Sequence, residues 1–157
     1  MNAARIKDLT EIPSPYVTGK FDEFFDGKLW PLIQTKRGCP FTCTFCVEGI
    51  KYYTKIGRFS VDAVQEEIEY IGKKMEVVRL QGGRNDLYIA DSNFGMYKRD
   101  EEIGEDIRHV QDVYGWPDAI NTATGKGNWD RIIRIAERVR HAFTVGCSVQ
   151  SMDDTTL

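Results

Sequence analysis

The sequence predicts an α/β protein in which parallel strands alternate with helices, and three observations carry that prediction. From about residue 29 onward, short apolar runs alternate with longer segments whose apolar residues recur at helical spacing. Caps and breakers mark where the helical segments start or stop. Each strand-like run leads into glycines or small polar residues, the composition that gathers where ligands bind at the carboxyl ends of parallel strands. A strand, helix, strand order of this kind is that of a parallel sheet joined by right-handed crossovers.

Residues 1–28 read as an extended arm. Ile12-Pro13-Ser14-Pro15 sets an extended path, because each proline pushes its predecessor toward β or polyproline geometry. Phe21, Phe24 and Phe25 are available to pin a short helical turn onto the body. The first strand is expected around Trp30, Leu32 and Ile33. Helix one is expected to start at Ser60, an N-cap with Asp62 in the first turn, and to carry the stripe Val61, Val64, Ile68, Ile71 and Met75. Two apolar runs follow, Val77–Leu80 and Leu87–Ala90, parted by a turn at 81–86, and the second run is the expected core strand. Helix two is expected over Lys98 to Tyr114 on Ile103, Ile107, Val110 and Tyr114, ended by Gly115 and Pro117. A third strand near Ala119–Ala123 then leads through Gly125-Lys126-Gly127-Asn128 into helix three. Its expected stripe is Trp129, Ile132, Ile133, Ala136 and Val139, with Arg131, Arg134 and Arg138 solvated. A fourth strand is expected at Phe143–Val149.

The segment with the most specific chemistry is Arg37-Gly38-Cys39-Pro40-Phe41-Thr42-Cys43-Thr44-Phe45-Cys46, where three cysteines share a Cys-x3-Cys-x2-Cys spacing. Thiolates so close in sequence reach one metal cluster only if the backbone loops tightly, and Gly38 and Pro40 favour such a loop. Soft thiolate ligands select zinc, copper(I) or iron–sulfur. A four-iron cluster normally takes one cysteine per iron, so three would leave one iron open. The alternative is a closed zinc site completed by Cys147. Against it, Cys147 stands alone about a hundred residues away in an apolar run, where a buried cysteine behaving as a small hydrophobe is the ordinary reading.

Cys-x3-Cys-x-aromatic-Cys just after an apolar strand resembles the signature of the radical S-adenosylmethionine (SAM) superfamily. The resemblance implies that Cys39, Cys43 and Cys46 hold a [4Fe-4S] cluster whose open iron chelates SAM, that SAM is cleaved to a 5′-deoxyadenosyl radical, and that Phe45 lies near the adenine. It also implies the parallel-sheet half of a (β/α)6 partial TIM-like barrel for residues 29–157. The arm, through Ile12-Pro13-Ser14-Pro15-Tyr16 and Phe24-Phe25-Asp26-Gly27, resembles the segment joining a cobalamin domain to the radical-SAM domain in the B12-dependent branch, where the chemistry is methyl transfer; that domain would lie outside this chain. Many members carry Gly-Gly-Glu after strand two to hold the SAM amino group, whereas Gly82-Gly83-Arg84 here precedes the core strand with the wrong charge. Asp-x-Asn-Phe after strand two, as in the B12-dependent branch, points instead to Asp91 and Asn93, with a loop-bonding aspartate as the alternative for Asp91. Ser148, Gln150 and Ser151 resemble the stretch that contacts the ribose or carboxylate of SAM. A non-catalytic iron–sulfur or zinc module is the alternative function.

The net charge of −3 gives no electrostatic case for nucleic-acid binding. A small-molecule substrate and an electron donor are the expected partners. No apolar run approaches the length of a membrane span, and reduced thiols fit a cytoplasmic setting. The fourth strand has no following helix in this sequence, so the chain is expected to be part of a larger protein and to lack turnover alone.

Overall fold

The computed structural model describes residue 6 and residues 8–143. In chain order these form β1 (Leu32–Ile33), β2 (Lys36–Arg37), β3 (Gly57–Arg58), α1 (Val61–Leu80), β4 (Asp86–Phe94), α2 (Arg99–Tyr114), β5 (Ala119–Thr124) and α3 (Trp129–Arg138). Strands β1, β4 and β5 make a parallel three-stranded sheet in that order, with Leu32 opposite Tyr88 and Leu87 opposite Ile120. The architecture is therefore mixed α/β on a parallel sheet. The expected fourth strand, except Phe143, lies outside the described residues, together with Cys147, Ser148, Gln150 and Ser151.

Helix α1 forms where its stripe predicts. Ser60 Oγ caps it by accepting the Ala63 N–H at 3.1 Å, and Val64, Ile68, Ile71 and Met75 are buried in the core. The helix runs further than expected. Val77–Leu80 reads locally as a strand, yet Val78 falls one turn beyond Met75 on the same face and is buried, while Val77 and Leu80 are exposed. Packing of one face outweighs the β preference of a paired valine. Helix α2 buries Ile103, Ile107 and Val110 and ends at Gly115 as expected. Gln111, near its end, donates to the carbonyls of Pro117 and Val139 at 2.8 and 3.1 Å.

Two expectations for α3 are corrected. Ile135, not Ile133, shares the buried face with Ile132, Ala136 and Val139, while Ile133 and Trp129 are exposed. Apolar residues flank the true stripe on both sides, so spacing alone leaves the facing of the helix ambiguous. The arginines are not simply solvated: Arg134 pairs with Glu101 of α2 at 2.8 Å, Arg138 pairs with Glu105, and Arg131 donates to the Met96 carbonyl at 2.6 Å.

The arm is held by polar contacts. The Tyr16 hydroxyl accepts the Leu32 N–H at 2.9 Å and donates to the Leu32 carbonyl at 3.1 Å, satisfying the backbone of β1, an edge strand among the described residues. Ser14 donates to Glu67 of α1 at 2.6 Å, and Thr10 Oγ1 accepts the Ser60 N–H at 2.8 Å. At the other edge the Ile120 N–H reaches the Ala142 carbonyl at 2.8 Å, and buried Phe143 packs on Phe94.

One strained group lies on α2. Burial, then the neighbouring Glu102, pushes the Asp106 carboxyl up to about 6, and one of its buried oxygens has no hydrogen-bond partner. A carboxyl raised in the folded state stabilises fully below its unfolded value, and that contribution is lost as pH rises through about 6. Asp106→Asn should therefore raise Tm at pH 7.5, with the gain shrinking as pH falls through about 6. A gain of equal size at acid and neutral pH would show that charge burial is not its cause.

Candidate functional site

The cysteine loop is the chain between β2 and β3. These strands pair antiparallel, Lys36 opposite Arg58 and Arg37 opposite Gly57, so the loop leaves and returns at one place. Two-residue strands are too short for periodicity to reveal, so no local pattern marks this clasp. Gly38 opens the loop at φ +104°, and a Cβ there would lie 2.5 Å from the Tyr53 carbonyl. Only glycine serves both demands. The Cys39 N–H donates to that same carbonyl at 3.0 Å, and the Cys46 N–H donates to the Cys43 carbonyl at 3.2 Å.

Beneath the loop lies a buried charge cluster. Lys36, 3% exposed, donates to Asp91 at 2.9 Å and to the two oxygens of Asp100 at 3.0 and 3.1 Å. Asp91 also accepts the Thr35 N–H at 2.8 Å, the Thr35 hydroxyl at 2.5 Å and the Lys36 N–H at 3.2 Å. Asp100, at the start of α2, accepts the N–H groups of Gly95 and Tyr97 at 2.9 and 3.1 Å. Arg99 beside it donates to the carbonyls of Phe59 at 2.7 Å and Thr35 at 3.4 Å. Two elements, β4 through Asp91 and the start of α2 through Asp100, thus converge on the ammonium that β2 supplies.

Each site residue expected from sequence has a definite position where it is described. Asp91 lies inside β4, on the buried face it shares with Leu87, Ile89 and Asn93. Strand β4 extends through it because pairing with β5 resumes at Phe94–Thr124 after an irregularity in which five steps along β4 match two along β5. Both Asp91 oxygens are engaged, so the ammonium it meets is that of Lys36. Asn93 reaches the loop: its amide donates to Cys39 Sγ at 3.2 Å. Phe45 is 72% exposed. Cys39 is buried, Cys43 half-buried and Cys46 exposed. Lys126, from the segment after β5, places its Nζ 3.1 Å from Cys43 Sγ, with the Phe41 and Phe45 rings 5.4 and 5.9 Å away. Gly82-Gly83 sits in the turn after α1, ahead of β4, and Arg84 pairs with Asp86 and stacks on Trp30. Among the described residues, no three His, Cys, Asp or Glu side chains converge closely enough to hold a metal ion.

Comparison with known proteins finds methyltransferases among the sequences similar to this chain. No family model matches the chain. It is 30% identical over 161 aligned residues to a 2-(S-pantetheinyl)-carbapenam-3-carboxylate methyltransferase of Streptantibioticus cattleyicolor, covering 99% of this chain and 22% of that protein. It is 28% identical, with the same coverage, to the cobalamin-dependent radical SAM methyltransferase TokK of Streptomyces tokunonensis. A tryptophan 2-C-methyltransferase of Streptomyces laurentii is 30% identical over 93 residues, covering 55% of this chain and 14% of that protein. The chain thus spans about a fifth of the first two relatives (22%). Among the described residues, no helix is long and apolar enough to cross a membrane.

The Lys36 cluster generates a stability prediction. Lys36→Met would leave Asp91 and Asp100 buried without their cation, and removing one partner of a buried ionic group costs about 3–5 kcal/mol. Urea denaturation should show a loss in that range, largely recovered when Asp91 and Asp100 are also replaced by asparagine. A loss under about 1 kcal/mol, the size of an exposed pair, would mean that the cluster is not shielded from water.

Proposed function

We propose that this chain is the first part of a radical SAM domain belonging to a methyltransferase, with Cys39, Cys43 and Cys46 as ligands of a [4Fe-4S] cluster. The observation that carries the reading is a cysteine loop at the carboxyl end of a parallel sheet, touched by β4 through Asn93 on Cys39 and by the segment after β5 through Lys126 on Cys43. The likeness to a cobalamin-dependent radical SAM methyltransferase over nearly the whole chain supports it. The donor set fits the cluster in kind and number: three thiols on one short loop, two of them already accepting N–H donors that suit a thiolate. That the sulfurs stand apart is compatible with a loop that closes as it takes up metal, since metal binding and local folding are coupled.

When bound, the cluster supplies the electron that cleaves SAM. The chain's own residues hold the loop and shape its surroundings. Phe45, exposed beside the cysteines, is assigned to the adenine, and Asn93 to the rim of the SAM site. Ser148, Gln150 and Ser151 are assigned to the ribose or carboxylate. Asp91 is assigned to holding Lys36, and through it the loop, in place of direct contact with SAM. The sheet would be half of a (β/α)6 partial barrel. The remaining strands, a cobalamin domain and the small-molecule substrate site belong to the larger protein that the relatives' length suggests.

Anaerobic reconstitution with iron and sulfide tests the ligand set. Wild type should bind about four irons, the content of a [4Fe-4S] cluster. Cys39→Ala, Cys43→Ala and Cys46→Ala should each lose most of that iron, while Cys147→Ala keeps it. Loss in the Cys147 variant equal to that in the other three would point to a closed four-cysteine site and to the non-catalytic module.

A further inference from the structure

We infer that Lys126 is a positioning residue for the cluster, acting through Cys43 to raise the reduction potential; this rests on the radical SAM reading above. Its ammonium lies 3.1 Å from Cys43 Sγ, hydrogen-bond distance for a sulfur acceptor, and the Phe41 and Phe45 rings flank it at 5.4 and 5.9 Å. The aromatic faces attract the cation and hold it against the loop.

The backbone that delivers Lys126 is itself fixed. The Gly125 N–H donates to the Phe94 carbonyl at 3.0 Å, continuing the β4–β5 pairing past Thr124. A Cβ on Gly125 would lie 2.8 Å from the Met96 Cβ, so no side chain fits between strand end and loop. Lys126 therefore leaves from a point where the two segments pack tightly.

Donors to ligand sulfurs tune iron–sulfur potentials, because the reduced cluster carries more negative charge and gains more from each donor. An ammonium adds full positive charge to that effect. The other two thiols lie in different surroundings: Cys39 takes a neutral amide from Asn93, and Cys46 is exposed. Among the described residues, Lys126 brings its full positive charge to Cys43 at hydrogen-bond distance.

The test is an EPR-monitored redox titration of the reconstituted full-length protein as wild type, Lys126→Met, Lys126→Arg and Lys73→Met, with iron content measured on each. Lys73 is an exposed lysine of α1 and controls for net charge. Lys126→Met should shift the potential to a more negative value, Lys126→Arg should restore most of it, and Lys73→Met should match wild type. A Lys126→Met potential equal to wild type at equal iron content would overturn the inference, as would a Lys73→Met shift of the same size. Should Lys126→Met take up too little iron to titrate, Lys126→Arg decides: a potential near wild type supports the donor role and a lowered one overturns it. A wild type that takes up no iron would defeat the cluster reading itself.

Discussion

The Lys36 ammonium, enclosed by Asp91 and Asp100, is the interaction on which the position of the cysteine loop depends. Two carboxylates and one ammonium are buried together, a combination that is costly unless each oxygen finds a donor. Here they do: Thr35 and Lys36 supply Asp91, and Gly95, Tyr97 and Lys36 supply Asp100. The cluster contributes geometry more than energy. It fixes β2 against the middle of β4 and the start of α2, and Arg99 extends the same anchorage to the backbone just after β3 through the Phe59 carbonyl. Both stems of the loop are therefore tied to the sheet and helix layer, and the cysteines project from a rigid base.

Much of the frame was legible in the sequence because it rests on local pattern. The cysteine spacing, the Ser60 cap, the α1 and α2 stripes and the third strand need only neighbouring residues to be read. What escaped depends on partners far along the chain. Lys36 ahead of Arg-Gly-Cys reads as one more surface charge until Asp91 and Asp100, 55 and 64 residues on, close around it. Asp91 suggested an ammonium partner, and the described partner is a lysine of the same chain. Arg134 and Arg138 read as solvated because their partners Glu101 and Glu105 lie on α2. Val77–Leu80 and Ile133 failed for the opposite reason: apolar residues surround them, and tertiary packing decides which of them are covered.

Function enters where these two kinds of information meet. The helices cover one face of the sheet through Leu87, Ile89 and Ile120, while Leu32, Asn121 and Ala123 on the sheet remain exposed. At the carboxyl rim the loop, Asn93 and Lys126 come together within hydrogen-bond distance. A parallel sheet presents ligand-binding groups at that rim, and the relatives that match nearly all of this chain are methyltransferases. The arm belongs to the same arrangement, because the Tyr16 hydroxyl holds the outer edge of β1, the strand that leads into β2 and the loop.

On the proposed reading, three cysteines leave one iron open for SAM. The most direct measurement is the EPR spectrum of the reduced, reconstituted full-length protein with and without SAM. Binding of SAM to an open iron predicts a change in g values on its addition, saturating with SAM concentration. A full complement of cluster whose spectrum is identical with and without SAM would contradict the claim and leave a closed cluster that serves structure or electron transfer alone.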